Sequence, residues 1–200
     1  MALVQTHEHE TVSIYPYTDD QIDKICSLSG ECVLMWSTKD GWPVGVMHAY
    51  VWHDGKFWIT CAGHRHRVSA LRRDPRCSVV VSGRTAPPDS GCPGGTATAK
   101  GRAVVHEDNQ ELKDWFYPAL GNRVSGGNAE AAANFAEMLD SPLRVILEIT
   151  PEKWITYDGE KAGRHFAGTI DEDELGPMLS SDANRMEQYR EKRATEGLTH

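Results

Sequence analysis

Apolar and polar positions along the first half of the chain fall into short blocks, and each block predicts one element. Thr18-Asp19-Asp20-Gln21 has the form of a capping box, with Thr18 as N-cap and Gln21 as its reciprocal partner. Ile22, Ile25 and Cys26 recur at helical spacing, and Gly30 closes the predicted helix. Cys32 to Thr38 is a short, apolar, β-prone run, and Lys39-Asp40-Gly41 a turn. Val44 to Trp52 predicts a second strand, with Val44, Val46 and His48 on one face. His53-Asp54-Gly55-Lys56 is another Asp-Gly turn, and Phe57 to Cys61 a third strand. Two hairpins in succession predict an antiparallel meander.

Val68 to Asp74 reads as a short helix that Pro75 helps to end, because the residue before a proline avoids the helical region. Cys77 to Ser82 is apolar enough for a central strand. Residues 83–95 form a loop rich in glycine and proline, and Thr96 to His106 is the strand paired across it. Glu107 to Leu120 and Asn128 to Leu139 predict two helices around the connector Gly121 to Gly127, with Ala132, Phe135 and Leu139 on one face of the second. Leu143 to Thr150 is a strong strand, which Pro151-Glu152 is expected to turn back into Lys153 to Tyr157. The tail is polar, with an amphipathic patch near Met186 and Tyr189. The predicted organisation is a loose arm over 1–17, one domain over 18–165, and a polar, partly helical tail over 166–200. The fold class is mainly β with peripheral helices, an antiparallel barrel of about six or seven strands.

Composition narrows the setting. Two hundred residues, 40% apolar and 25% charged, describe one ordinary globular domain. No run approaches the roughly 18 apolar residues of a membrane span. The first ten residues lack a basic region followed by an apolar one, so no signal peptide is expected. Cys26, Cys32, Cys61, Cys77 and Cys92 form no CxxC pair and are odd in number, which fits a reducing compartment, the cytoplasm. The net charge of −8 argues against a nucleic-acid partner and makes any local positive cluster informative.

One such cluster runs from Trp58 to Arg76. A strand ends near Thr60 and Cys61, a small loop follows, and a helix begins near Arg67. Helix N-termini favour anions through free N–H groups and the macrodipole. Arg65, Arg67, Arg72 and Arg73 add fixed charge in the fork geometry that suits phosphate, and Thr60 and Ser69 supply hydroxyls. A solvated basic helix face shows the same pattern. His64 and His66 alternate as metal ligands can, but no third ligand stands at a familiar spacing, so no metal is expected. His48 and His53 read most simply as barrel-face and turn histidines, and Cys61 as a buried residue rather than a nucleophile. No GxSxG, P-loop or GxGxxG motif occurs.

The order of these elements resembles the flavin-binding split β-barrel family that includes pyridoxamine 5′-phosphate oxidase and the flavin/deazaflavin oxidoreductases. Four stretches carry the resemblance over roughly residues 18–165: Asp40-Gly41-Trp42-Pro43 after the first helix and strand; Phe57 to Thr60 with His66-Arg67 and Leu71 to Arg76; Ala99-Lys100-Gly101-Arg102-Ala103; and Leu143 to Gly159, the closing hairpin. The resemblance implies that His66 and Arg67, helped by Arg65, hold the phosphate of FMN, with Thr60 as the strand-end hydroxyl. It implies that Val44, Val46 and Met47 run beside the flavin ring, and it brings Trp58, Cys61 and Ser69 into the same site. It further implies a homodimer with the cofactor at the interface. The vitamin B6 oxidases carry a C-terminal substrate signature. Here His165 falls at its histidine, but Gly163 stands where its arginine is expected, and the closing strand is missing.

Three functions follow from the resemblance: an FMN-dependent oxidoreductase of a small conjugated or aromatic molecule, a deazaflavin-dependent reductase, or a non-enzymatic binder of flavin or haem. In the first, the flavin carries the electrons and the protein positions it, which agrees with the lack of a catalytic constellation. Arg72 and Arg73 are the groups a deazaflavin's longer anionic tail would use.

Overall fold

The computed structural model describes residues 12–197. Seven strands form one antiparallel sheet: β1 (Cys32–Ser37), β2 (Pro43–His48), β3 (Val51–His53), β4 (Lys56–Ala62), β5 (Arg76–Ser82), β6 (Gly95–His106) and β7 (Arg144–Asp158). Their spatial order is β2-β1-β5-β6-β7-β4-β3. The helices are α1 (Asp19–Leu28), α2 (His66–Arg73), α3 (Gln110–Val124), α4 (Ala129–Leu139), α5 (Gly159–Phe166) and α6 (Ser180–Thr195).

The strand order forces the sheet to curl. β2 and β3 are its two edges, yet only Ala49 and Tyr50 separate them in sequence. That link spans at most about 11 Å, whereas seven flat strands would extend over about 29 Å. The edges must therefore roll toward one another, which gives the split barrel its shape. The strand expected over Val44 to Trp52 is thus two strands, broken where the chain crosses from one edge to the other.

Inward-facing residues fill the barrel: Leu34, Trp36, Phe57, Ile59, Val79, Val81, Leu147 and Ile149, with Ile25 of α1 and Val68 and Leu71 of α2. α1 starts as its sequence predicts. Thr18 Oγ1 accepts from the Gln21 N–H at 3.2 Å, and Gln21 Oε1 accepts from the Thr18 N–H at 2.9 Å. Its last carbonyls are satisfied from outside the helix. Tyr50 Oη donates to the Cys26 carbonyl at 2.6 Å, and Arg123 of α3 donates to the carbonyls of Ser27 and Ser29. A second core lies on the outer face of β4 and β7, where Trp58 and Ile146 pack under Phe116, Tyr117, Leu120 and Leu139 of α3 and α4.

The β3–β4 turn places both Asp54 (φ 52°) and Gly55 (φ 68°) in the left-handed region, as a two-residue hairpin loop requires. β7 differs from its expected form. It is one strand of 15 residues rather than a hairpin, and Pro151 sits inside it. The register shifts there: Gly101 stands opposite Pro151 and Lys100 opposite Lys153, so Glu152 is the extra residue of a bulge. A proline is tolerated at such a point because the ladder is already interrupted. Gly101 lets the strands close, since a Cβ there would lie 2.2 Å from the Thr150 carbonyl oxygen.

Residues 12–17 are less free than an arm. Tyr15 Oη is 2.7 Å from His165 Nδ1, and Tyr17 Oη donates to the Gly94 carbonyl at 2.9 Å. The remainder of the expected arm, residues 1–11, lies outside the described residues. The polar tail contains α5 and α6, and α6 buries none of its residues. No described helix is long and apolar enough to cross a membrane.

On the sheet's outer surface the register lines up Met47, Val33, Val80, Thr98 and Ile155 in one row across β2, β1, β5, β6 and β7. Met47 is 50% exposed and Ile155 53%. The row is a mostly apolar band, interrupted by Thr98, with exposed residues at both ends.

Candidate functional site

β2 is hydrogen-bonded to β1 alone, so the backbone groups along its other side have no strand partner. Val44, Val46 and His48 turn toward the barrel and are half-buried, while Gly45 and Met47 face out. The strand is therefore an exposed backbone edge with a half-buried apolar lining behind it.

α2 approaches this strand from the end of β4. Its N-cap, Arg65, has extended backbone and no side-chain cap. The Val68 N–H donates to the Arg65 carbonyl at 2.9 Å, which leaves the N–H groups of His66 and Arg67 for a ligand or water. Ser69 Oγ donates to the His66 carbonyl at 2.9 Å, and its lone pairs remain available. Arg65 and His66 are exposed. Arg67 turns inward. Its Nη1 donates to His48 Nε2, and its guanidinium carbon lies 5.6 Å from the centre of the Trp36 ring. This contact requires neutral His48 with its proton on Nδ1. Burial, and then the facing guanidinium, push the His48 pKa from 6.5 down to about 4.

The other residues expected at the site are spread over both faces of β4. Thr60 donates its hydroxyl to the Val145 carbonyl at 2.9 Å. Trp58 is on the same outer face, buried beneath α3, with its indole N–H donated to the His53 carbonyl at 3.1 Å. Cys61 faces the barrel interior, where burial raises its thiol pKa against the lowering effect of Arg67, Arg144 and Arg65. That is the environment of an inert cysteine. Arg72 pairs with Glu107, and Arg73 donates to the Ser37 carbonyl at 2.8 Å. The positive run thus separates into an N-terminal turn with exposed Arg65 and His66 and two arginines tied to other parts of the fold.

The structure adds two residues to the site. His48 was legible as a face residue of β2, but its meeting with Arg67 depends on barrel closure. Trp36 lies under the guanidinium, and its indole Nε1 is buried without a hydrogen-bond partner. Of the vitamin B6 substrate signature only the histidine position is matched, and His165 meets Tyr15; Arg164, the neighbour of Gly163, pairs with Glu174. Both belong to α5. Among the described residues, no three His, Cys, Asp or Glu side chains gather as a metal site.

Comparison with known proteins agrees with this architecture. A family model described as pyridoxamine 5′-phosphate oxidase matches residues 19–158. A conserved hypothetical protein from Mycobacterium tuberculosis aligns at 19% identity with a TM-score of 0.63, covering 79% of this chain and 93% of its own. The haem storage protein HutZ from Vibrio cholerae aligns at 15% identity and TM-score 0.52, covering 70% and 94%. A putative 5-nitroimidazole antibiotic resistance protein from Bacteroides thetaiotaomicron aligns at 11% identity and TM-score 0.52, covering 75% and 93%. At these identities the likeness speaks for the fold. No curated protein matches the chain.

Proposed function

The chain belongs to the pyridoxamine 5′-phosphate oxidase family, and on that footing we propose that it is an FMN-dependent oxidoreductase acting on a small conjugated or aromatic substrate. One observation carries the reading: the contact between Arg67 of α2 and His48 of β2. It joins the helix turn suited to a phosphate to the edge strand suited to a flat ring. FMN fits this donor set. The first turn of α2 with Arg67 and Ser69 would hold the phosphate, and the unpaired edge of β2 would face the ring. The flavin supplies hydride or electron transfer, and the protein contributes placement and exclusion of water.

FMN is favoured over a deazaflavin by the state of Arg72 and Arg73. A longer anionic tail would need to recruit them, and both already have partners. Pyridoxamine phosphate is disfavoured as substrate because Gly163 stands at the expected arginine, its neighbour Arg164 is paired with Glu174, and His165 meets Tyr15. We further propose a homodimer. The row Met47, Val33, Val80, Thr98 and Ile155 is a mostly apolar band that starts on β2, as a contact that completes the site would need. A cytoplasmic location fits the five free cysteines, four of them buried.

The absorbance spectrum of the protein reconstituted with FMN, deazaflavin or haem tests the cofactor. Haem is included because HutZ is named a haem storage protein. Retention of FMN alone is expected, and a Soret band without flavin retention would replace this reading with haem binding. Turnover is then assayed with enones, nitroaromatics and quinones beside pyridoxamine phosphate, with reduced nicotinamide as electron donor. Turnover restricted to pyridoxamine phosphate would overturn the substrate class.

A further inference from the structure

A groove of about 590 Å³ runs across the outer surface from Ser37 and Pro43, at the start of β2, to the bulge of β6 and β7. Its volume lies within the range of small-molecule sites, about 300–1,000 Å³. Arg76, Lys100, Arg102, Asp74 and Glu152 line it, and Lys153 stands outside that lining, next to Glu152 and opposite Lys100 on β7.

The register gives this groove an unusual charge pattern. Arg76 stands opposite Arg102 across β5 and β6, and Lys100 opposite Lys153 across β6 and β7. Like charges directly opposite each other destabilise a sheet. The arginines are each neutralised locally. Arg76 holds Asp74 through Nη2 at 2.6 Å, and Arg102 Nε donates to Glu152 at 2.9 Å. Lys100 and Lys153 are both exposed, and among the described residues neither has a carboxylate partner. Two unneutralised ammonium groups on facing positions match a phosphate, which carries about −1.5 to −2 at neutral pH. They do so in a chain whose net charge is −8. The bulge makes the pairing. With Glu152 as the extra residue, Lys153 rather than Glu152 stands opposite Lys100.

We propose that this groove is a second anion site, taking a phosphate-bearing small molecule other than the flavin. Lys100 and Lys153 contact the phosphate, and the Arg76–Asp74 and Arg102–Glu152 pairs form its rim. The site does not depend on the flavin reading. Phosphate monoesters and dinucleotide diphosphates share the chemistry recognised here.

Calorimetric titration of the full chain with inorganic phosphate and with pyrophosphate tests the site. The variants are Lys100→Met/Lys153→Met, the charge-keeping Lys100→Arg/Lys153→Arg, and Lys192→Met on α6 as a control. The double methionine variant is expected to bind at least about tenfold more weakly, with the arginine variant and the control near the wild type. Tighter pyrophosphate binding assigns a diphosphate, and equal binding a monoester. The affinity ratio of FMN to riboflavin, measured on the same variants, is expected to stay constant. Absence of phosphate and pyrophosphate binding to the wild type, or equal binding by the double methionine variant, would overturn the proposal. So would a collapsed FMN-to-riboflavin ratio, because the groove would then be the flavin's own phosphate site. Failure of FMN to bind at all would sink the flavin reading and leave the phosphate titration intact. Circular dichroism with a thermal midpoint like the wild type's establishes that each variant is folded.

Discussion

The guanidinium carbon of Arg67 lies 5.6 Å from the ring centre of Trp36, with His48 accepting a hydrogen bond from its Nη1. A cation is thus held at the barrel wall by an aromatic face and a neutral imidazole, beside an edge strand with unpaired backbone.

Arg67→Ala should weaken FMN by about 1.5–3 kcal/mol, the range for hydrogen bonds to charged groups. Riboflavin, which lacks the phosphate, should be nearly unaffected. Fluorescence titration with both ligands measures the difference. Equal losses for the two would place the phosphate elsewhere.

Stability should depend on pH through His48. Its folded pKa of about 4 lies below the ordinary 6.5, so the unfolded chain binds more protons between these values. Stability therefore falls as pH drops through that window, and the contribution is complete above it. Allowing for partial exposure, the loss attributable to His48 between pH 7 and 5 is about 1 kcal/mol. Urea denaturation of wild type and His48→Gln at both pH values should show the smaller decline in the variant. Parallel declines would remove His48 as the cause.

What could be read in the sequence was local. The capping box at Thr18 and Gln21 and the left-handed pair Asp54-Gly55 carry their structural instruction in adjacent residues, and both form as predicted. The misread element, β7, turns on a partner far away. Pro151 normally ends a strand, and only Gly101, fifty positions earlier, reveals that it occupies a bulge. The site follows the same division. The start of α2 and its basic residues were legible, but the inward turn of Arg67 onto His48 and Trp36 arises from barrel closure. Periodicity along one strand carries no signal of it.

Gly101→Ala should destabilise the fold by about 1–3 kcal/mol, because the new methyl group would press on the Thr150 backbone rather than on a side chain that can move. Chemical denaturation measures it. A neutral result would mean that the bulge opens at little cost.

Tyr50→Phe should cost about 1–3 kcal/mol, the penalty for leaving the buried Cys26 carbonyl without its donor. The phenyl ring keeps the packing, so the thermal midpoint isolates the lost hydroxyl. An unchanged midpoint would show that water or Arg123 takes over.

Ile155→Asp should convert the proposed dimer into a monomer by placing a charge in the apolar row. Light scattering at micromolar concentration reads the mass. A wild-type monomer would dispose of the shared site, and a dimer resistant to this change would move the interface to another surface.

The link Ala49-Tyr50 contributes no rung to the sheet, yet it keeps both borders of the barrel in one molecule. A nick or a long insertion there would leave every strand ladder intact and release β2 from β3. The borders, already without strand partners on their outer sides, would then be free to part and to take up a foreign strand. The distance between the two open borders is therefore limited by a link of two residues.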